Sequence, residues 1–231
     1  MSSSWRAGRS PWPRLSAAPH NSYVNQRPFV TGLVLAAGGS KRLGTPKQLL
    51  PYGDATLLDH VLATARACDF DQLLCVIGGA ATEIRGRVDL SGATVVENQS
   101  FGEGCSSSIA AALTAVDDEA DVLVLMLGDQ PGVTAETVST LMHNRGEATL
   151  AACAYDDGRG HPLAFARATF GELATLHGDK GVWKLLDRHA ADVVDVPIAG
   201  AVPRDVDTDE DYRAVVSELE EASARSSRFS G

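Results

Sequence analysis

No stretch of the 231-residue chain approaches the roughly 20 consecutive apolar residues that a membrane-crossing helix needs, which argues against a helical membrane protein. The four cysteines, Cys68, Cys75, Cys105 and Cys153, include no CxxC pair and have no histidine nearby at zinc spacing. That argues against a zinc site and fits reduced thiols in a cytoplasmic protein. Cys68 and Cys75 lie in apolar stretches and read as core filler. There is no Walker A loop, no GxGxxG, no internal repeat, and no Ser-His-Asp or Cys-His arrangement for nucleophilic catalysis. Acidic residues are absent before Phe29, where Arg6, Arg9, Arg14 and Arg27 are the only charges. From Phe29 onward 16 basic residues face 30 acidic ones, a net charge of about −14. Such a body repels nucleic acid. It can still take a nucleotide where basic side chains, backbone N–H groups and a divalent cation supply a local positive field.

What is present fits one globular domain, with 44% apolar and 22% charged residues. The length suffices for a single three-layer core. Residues 1–28 are rich in Ser, Pro and Arg and show neither helical nor strand period, so a disordered leader is expected there. The domain is expected over 29–222 and a frayed tail over 223–231.

Between these ends β and α patterns alternate. Strands are predicted at 29–36, 72–77, 94–97 and 121–127, and helices at 56–68, 80–88, 105–116 and from Thr134. The segment DVLVLML is apolar throughout, as in a strand buried on both faces. Two strands, 149–154 and 163–166, are expected around a glycine-rich turn, DDGRGHP. Helices at 168–176 and 181–188, a strand at 193–197 and a closing helix at 208–222 complete the pattern. Repeated βα units predict a three-layer, mostly parallel, doubly wound (Rossmann-like) α/β sheet. Such sheets bind ligands at the carboxyl ends of their strands.

The strongest local signal, LAAGGSKRLGTPKQLL at 35–50, follows the first strand directly. Gly38 and Gly39 remove side chains where backbone N–H groups can form an anion nest. Arg42 and Lys47 place two cations on the same loop, one suited to bidentate phosphate contact and one a compact charge. In LGDQPGV, 127–133, Asp129 stands at a strand tip beside a turn-forming proline. There it serves as a Mg²⁺ ligand or as the cap of the turn. Ser106, Ser107 and Ser108 begin a helix and act as caps or as anion donors. His161, in DDGRGHPLAF, is structural or contacts substrate.

The loop at 35–50 resembles the signature of the MobA-like nucleotidyltransferases, in particular the molybdenum cofactor cytidylyltransferases, whose fold is of the nucleotide-diphospho-sugar transferase type. Further matches extend the resemblance over residues 30 to about 215: ENQSFGEGCSSSI (97–109), LGDQPGV, GRGHP, HGDKGVWKLL (177–186) and RDVDTDEDY (204–212). The resemblance implies that Arg42 and Lys47 hold phosphates and act in catalysis with Asp129. It places the nucleotide on Leu35, Ala36, Ala37, Gly38, Gly39 and Ser40, with Asn98 and Ser106 beside it. It puts the acceptor near Gly160, His161, Asp179 and Lys180, and a Mg²⁺ cofactor on Asp129 and Asp207. Cys105 stands where the family usually has Met.

In this family the cytidylyl branch reads Leu-Ala-Ala-Gly and the guanylyl branch Leu-Ala-Gly-Gly. Residues 35–38 match the first, and the Ala37 methyl would crowd a purine. The resemblance therefore implies CTP rather than GTP, a molybdopterin-type phosphate acceptor, and a molybdoenzyme or its maturation factor downstream. Methylerythritol phosphate cytidylyltransferases share the Pro-Lys-Gln at 46–48, and phospholactate guanylyltransferase is a weaker likeness. A non-catalytic cofactor carrier is the reading from another class, although Arg42, Lys47, Asp129 and Asp207 are all retained.

Overall fold

The computed structural model describes residues 27–40 and 42–229. Nearly all of the leader expected over 1–28 lies outside the described residues. At its end, Arg27 makes a paired contact with Asp71 (2.8 and 3.0 Å), so among the described residues contact with the fold begins before the expected boundary.

The first half of the chain runs β1 (Val30–Ala36), a short hairpin of β2 (Pro51–Tyr52) and β3 (Ala55–Thr56), α1 (Leu57–Arg66), β4 (Gln72–Ile77), α2 (Ala81–Arg87), β5 (Thr94–Glu97) and α3 (Cys105–Leu113). The second half runs β6 (Val122–Leu127), α4 (Ala135–Asn144), β7 (Leu150–Tyr155), β8 (Gly158–Ala166), α5 (Phe170–Ala174), α6 (Gly181–Arg188), β9 (Val193–Pro197) and α7 (Asp209–Phe229). Helix starts follow local chemistry. The Thr56 hydroxyl accepts from the Asp59 N–H, and the Asp59 carboxylate accepts from the Thr56 N–H, a reciprocal cap for α1. Thr208 and Asp211 do the same for α7, and Thr134 caps α4 through the Thr137 N–H.

Seven strands form one sheet in the order β5-β4-β1-β6-β8-β7-β9. Only β8 runs against its neighbours. The chain builds outward from β1 through β4 to β5, then crosses back to lay β6 on the other side of β1. The carboxyl ends of β1 and β6 therefore flank the point where strand order reverses, the place where open α/β sheets bind ligands. The buried strands alternate between two cores. In β6, Val122, Val124 and Met126 face the layer of α1, α2 and α4, while Leu123 and Leu125 face that of α3, α5 and α6. Each such side chain contributes roughly 1.5–3 kcal/mol on burial. A third, smaller cluster joins Tyr52 and Leu57 to Val206 and Val215. It pins the segment before α7 against the hairpin, as does the bond from the Tyr212 hydroxyl to the Pro51 carbonyl (2.6 Å).

Three expectations need correction. The Gly-Arg-Gly-His-Pro segment is not a turn: Asp156 and Asp157 make the turn, and GRGHP lies within β8. There the register jumps, with Leu163 opposite Ala152 but Gly160 opposite Cys153. His161 and Pro162 form the extra length, a bulge that accommodates a residue lacking an N–H to donate. The β2–β3 hairpin was not anticipated, because two-residue strands carry no periodic signal. Finally, α7 runs beyond Ala222 to Phe229 rather than fraying from 223, with Ala224 and Arg225 among the residues there that favour helix.

Candidate active site

A cavity of about 810 Å³ opens at the carboxyl ends of β1 and β6, within the usual range for ligand sites. The loop after β1 forms one wall, and its shape is fixed by its own sequence. The Ser40 hydroxyl accepts the Lys47 N–H at 2.8 Å, closing the loop on itself. Gln48 is buried, and its amide donates to the carbonyls of Ala36 (2.7 Å) and Gly38 (3.0 Å). Leu35, Ala36, Ala37, Gly38, Gly39 and Ser40 all border the cavity.

Three carboxylates meet this loop. Asp129 follows β6 directly, and its carbonyl accepts the Val206 N–H (3.0 Å), which draws the 205–207 segment alongside. Lys47 then reaches between Asp129 and Asp207. Its ammonium donates to Asp129 and, at 2.8 Å, to Asp207. Burial alone would lower the Lys47 pKa, but the charges and hydrogen bonds of the two aspartates together outweigh it and raise it. The group is firmly ammonium. Arg42, 72% exposed, hangs over the same spot with its guanidinium 3.5 Å from Asp207. Asp205, at the cavity mouth, is pushed up to about 6 by burial and by the neighbouring Asp129 and Asp207 charges, against the lowering effects of Gln130 and Lys47. Asp205 is also exposed to solvent, and the three neighbouring carboxylates together favour a cation among them.

Among the described residues no group of three His, Cys, Asp or Glu side chains is arranged to hold a metal by itself. The donor set still suits Mg²⁺, which is commonly bound by one or two carboxylates with substrate phosphates and water completing its shell. The Lys47 ammonium, seated between Asp129 and Asp207, marks where those carboxylates accommodate positive charge.

The far wall comes from β8, α6 and the loop before it. Gly160, His161 and Asp179 border the cavity. Burial pushes the His161 imidazole down to about 4, so near neutrality it is uncharged and brings no positive field to a phosphate. Its ring meets Trp183 edge to face, 5.4 Å between centroids. One Asp179 oxygen accepts the Cys105 N–H (3.1 Å), capping α3 from a distant loop. Gly104 makes this approach possible, with φ of +101° and space in which a Cβ would lie 2.7 Å from the Asp179 carboxylate.

Asn98, Ser106 and Lys180 stand outside the cavity wall. Asn98 is buried, its amide donating to the hydroxyls of Ser107 (2.9 Å) and Ser108 (3.0 Å) while its carbonyl accepts the Ser100 N–H. It shapes the turn before α3 instead of facing a ligand. Ser106 gives its hydroxyl to the Gly178 carbonyl at 2.6 Å, fastening α3 to the loop before α6. Lys180 sits exposed at the start of α6. Gln48, Phe101, Gln130, Arg159 and Trp183 border the cavity without having been singled out from the sequence. Trp183 lies within the quoted HGDKGVWKLL motif and Gln48 within the loop motif, so a signal for those two was present. Phe101 stands beside the glycines of ENQSFGEG. Cys105 also lines the cavity, its thiol pushed up to about 11 by burial and by Asp179 and Asp129, so it is no nucleophile near neutrality. Cys75 is fully buried, with its thiol pushed up to about 12, and Cys68 is partly buried against the same core.

Residues 32–193 match the MobA-like NTP transferase domain family. The chain is 49% identical to the crystal structure of a homologue, from Mycobacterium sp. strain JC1, of the Mycobacterium tuberculosis protein Rv0371c, covering 85% of this chain and 100% of that one with a TM-score of 0.79. A structure of the Mycobacterium tuberculosis protein in complex with manganese is 45% identical, covers 81% of this chain and 98% of that one, and has a TM-score of 0.72. Nicotine blue oxidoreductase of Paenarthrobacter nicotinovorans is 32% identical over 163 residues, 67% of this chain and 79% of that protein. The chain belongs to the family of MobA-like NTP transferase domains and is a nucleotidyltransferase.

Proposed function

We propose that this nucleotidyltransferase moves a cytidylyl group from CTP to the phosphate of a molybdopterin-type acceptor, uses Mg²⁺, and releases pyrophosphate in the cytoplasm. The observation that carries the reading is the Lys47 ammonium seated between Asp129 and Asp207, beside a glycine loop at the strand-order reversal. Asp129 and Asp207 would hold the metal, which when bound neutralises charge on the reacting phosphates. Lys47, exchanged out of its seat, and the exposed Arg42 then neutralise the leaving pyrophosphate. An acceptor phosphate oxygen forms a bond to the α-phosphorus as the bond from that phosphorus to the bridging oxygen of pyrophosphate breaks. The attacking oxygen is already ionised, so no general base is required, in keeping with a neutral, buried His161. Positioning and charge neutralisation carry the reaction.

The acceptor is assigned to the wall of Gly160, His161 and Asp179, with Lys180 exposed at the start of α6 next to Asp179 in the chain. The Ala37 methyl underlies the choice of CTP over GTP. The manganese in the Rv0371c complex supports the use of a divalent cation. The cytoplasmic setting agrees with the absence, among the described residues, of any helix long and apolar enough to cross a membrane. The test is pyrophosphate release with CTP or GTP, each with Mg²⁺ and molybdopterin or molybdenum cofactor. Release with CTP alone supports the reading. Release with GTP overturns the base assignment, and release with neither favours another phosphorylated acceptor, methylerythritol phosphate among them, or a carrier role. The relative named an oxidoreductase gives a second reading, in which the cavity takes a redox nucleotide; hydride transfer from a reduced nicotinamide nucleotide to an added quinone-type dye, without pyrophosphate release, would support it.

A further inference from the structure

Among the described residues Phe101 is the one large apolar side chain that stands exposed, at 37%, and it borders the cavity. An aromatic ring left in water next to a ligand site gives up burial that the core offers elsewhere, so its surroundings need a reason. They are unusual. The ring lies against bare backbone: a Cβ on Gly79 would fall 2.8 Å from the Phe101 ring tip, and one on Gly78 would fall 2.8 Å from the Phe101 Cβ and 2.7 Å from the Ala37 carbonyl. On the nucleotide loop itself, a Cβ on Gly39 would lie 3.8 Å from the ring edge. Glycines at the tip of β4 and on the loop after β1 thus clear a slot that the ring fills, with part of its surface left open at the cavity mouth. Lys47 and Arg42 stand farther along the same loop, where Asp129 and Asp207 meet them. The Gly39 end, which carries an exposed aromatic ring against bare backbone, is suited to the flat, uncharged part of a nucleotide.

We propose that Phe101 is the stacking platform for the nucleobase, held in place by the clearance at Gly78 and Gly79. This rests on the reading of the cavity as a nucleotide site. Stacking is tolerant of base identity because every base has a π-face, so Phe101 supplies affinity for the base while the choice between bases lies with Ala37.

The experiment is calorimetric titration of the full chain with CTP and, separately, with inorganic tripolyphosphate, both with Mg²⁺. Phe101→Ala is expected to weaken CTP binding about ten-fold, the lower part of the range for one base–aromatic stack, and to leave tripolyphosphate binding within about two-fold. Gly79→Ala, whose added methyl must displace the ring, is expected to show the same selective loss. Phe101→Trp is expected to restore CTP affinity and to add fluorescence that CTP quenches and tripolyphosphate does not, over the background of the native tryptophans. Equal weakening of both ligands overturns the proposal, because the ring then only supports the loop. Tighter CTP binding in Phe101→Ala overturns it too, since the ring would then obstruct the base. If the unaltered chain binds tripolyphosphate but not CTP, the platform fails while the phosphate site stands; if it binds neither, the nucleotide reading itself fails.

Discussion

Replacing Lys47 by Met keeps the length and most of the apolar volume of the stem and removes the ammonium. The side chains of Lys47 and Asp129 are 11% and 17% exposed, so this pair is largely out of water, whereas Asp207 is 51% exposed and its share is screened. Removing one partner of a buried pair costs about 3–5 kcal/mol; with one of the two carboxylates half in water the lower end, about 3 kcal/mol, is expected. For a fold of this size that is about 6–12 °C in melting temperature. The loss also removes a charge that holds the Asp205 pKa down, leaving three carboxylates with less compensation. A divalent cation can then restore what the ammonium supplied. Binding only the folded state, it adds about 2.7 kcal/mol at a hundred times its dissociation constant. The assay is thermal melting at pH 7, without nucleotide, in chelator and in Mg²⁺ or Mn²⁺. The variant should melt lower in chelator and gain more from the cation than the unaltered chain, whose seat the ammonium already fills. A variant as stable as the parent in chelator, or no more responsive to metal, would refute the argument that the space between Asp129 and Asp207 is a cation seat.

Asp129→Ala is expected to abolish metal-dependent turnover while circular dichroism stays close to that of the parent; near-normal pyrophosphate release would remove Asp129 from the mechanism. His161 has a folded pKa lowered to about 4 from 6.5, so the unfolded chain takes up the proton first and stability falls as pH drops from about 6.5 towards 4. The shift amounts to about 3 kcal/mol in full and about 2 kcal/mol by pH 5. Urea unfolding at pH 7 and pH 5 should therefore show His161→Gln losing less than the parent, and equal losses would mean the imidazole is not held neutral. Asp205, raised to about 6, works with the opposite sign, contributing most below the usual carboxylate range and losing that contribution as pH rises through 6; it is common to both proteins and cancels in the comparison. Gly104→Ala must place a non-glycine residue at φ +101° with its methyl against Asp179. About 1–3 kcal/mol of backbone strain is expected from denaturant unfolding, together with loss of the Asp179 cap on α3.

The fold was legible where short-range pattern decides it. The strands at 72–77, 94–97 and 193–197 form where they are predicted, the first as an apolar run buried inside the sheet and the other two as edge strands whose β-branched residues favour extended backbone. The misplaced features are those that a partner strand decides. GRGHP carries every local mark of a turn, yet β8 runs through it because β7 pairs with Gly158, Arg159 and Gly160, β6 joining only from Leu163 onward, and the proline is absorbed in a two-residue bulge. The β2–β3 hairpin owes its place to Tyr52 packing in the cluster with Val206 and Val215, more than 150 positions away in sequence.

The same division runs through the site. Leu35 to Ser40 reach the cavity because a loop that directly follows a central strand has nowhere else to go. Asn98 and Ser106 carry the residue types of an anion site at a helix start, and sequence offers no way to tell donors kept free for a ligand from donors already spent. Ser106 is spent on Gly178, 72 positions away, and Asn98 on two serines of the helix that follows it. Lys47 is the sharper case. As a basic residue on a glycine loop it reads as a phosphate ligand, but the fold brings Asp129 and Asp207 to it from 82 and 160 positions away, and burial makes that pairing strong. An ammonium that both balances two carboxylates and serves a triphosphate has to exchange partners when nucleotide and metal arrive together. Phosphate binding and metal binding at this site should therefore be coupled, each relieving the charge that the other leaves unpaired.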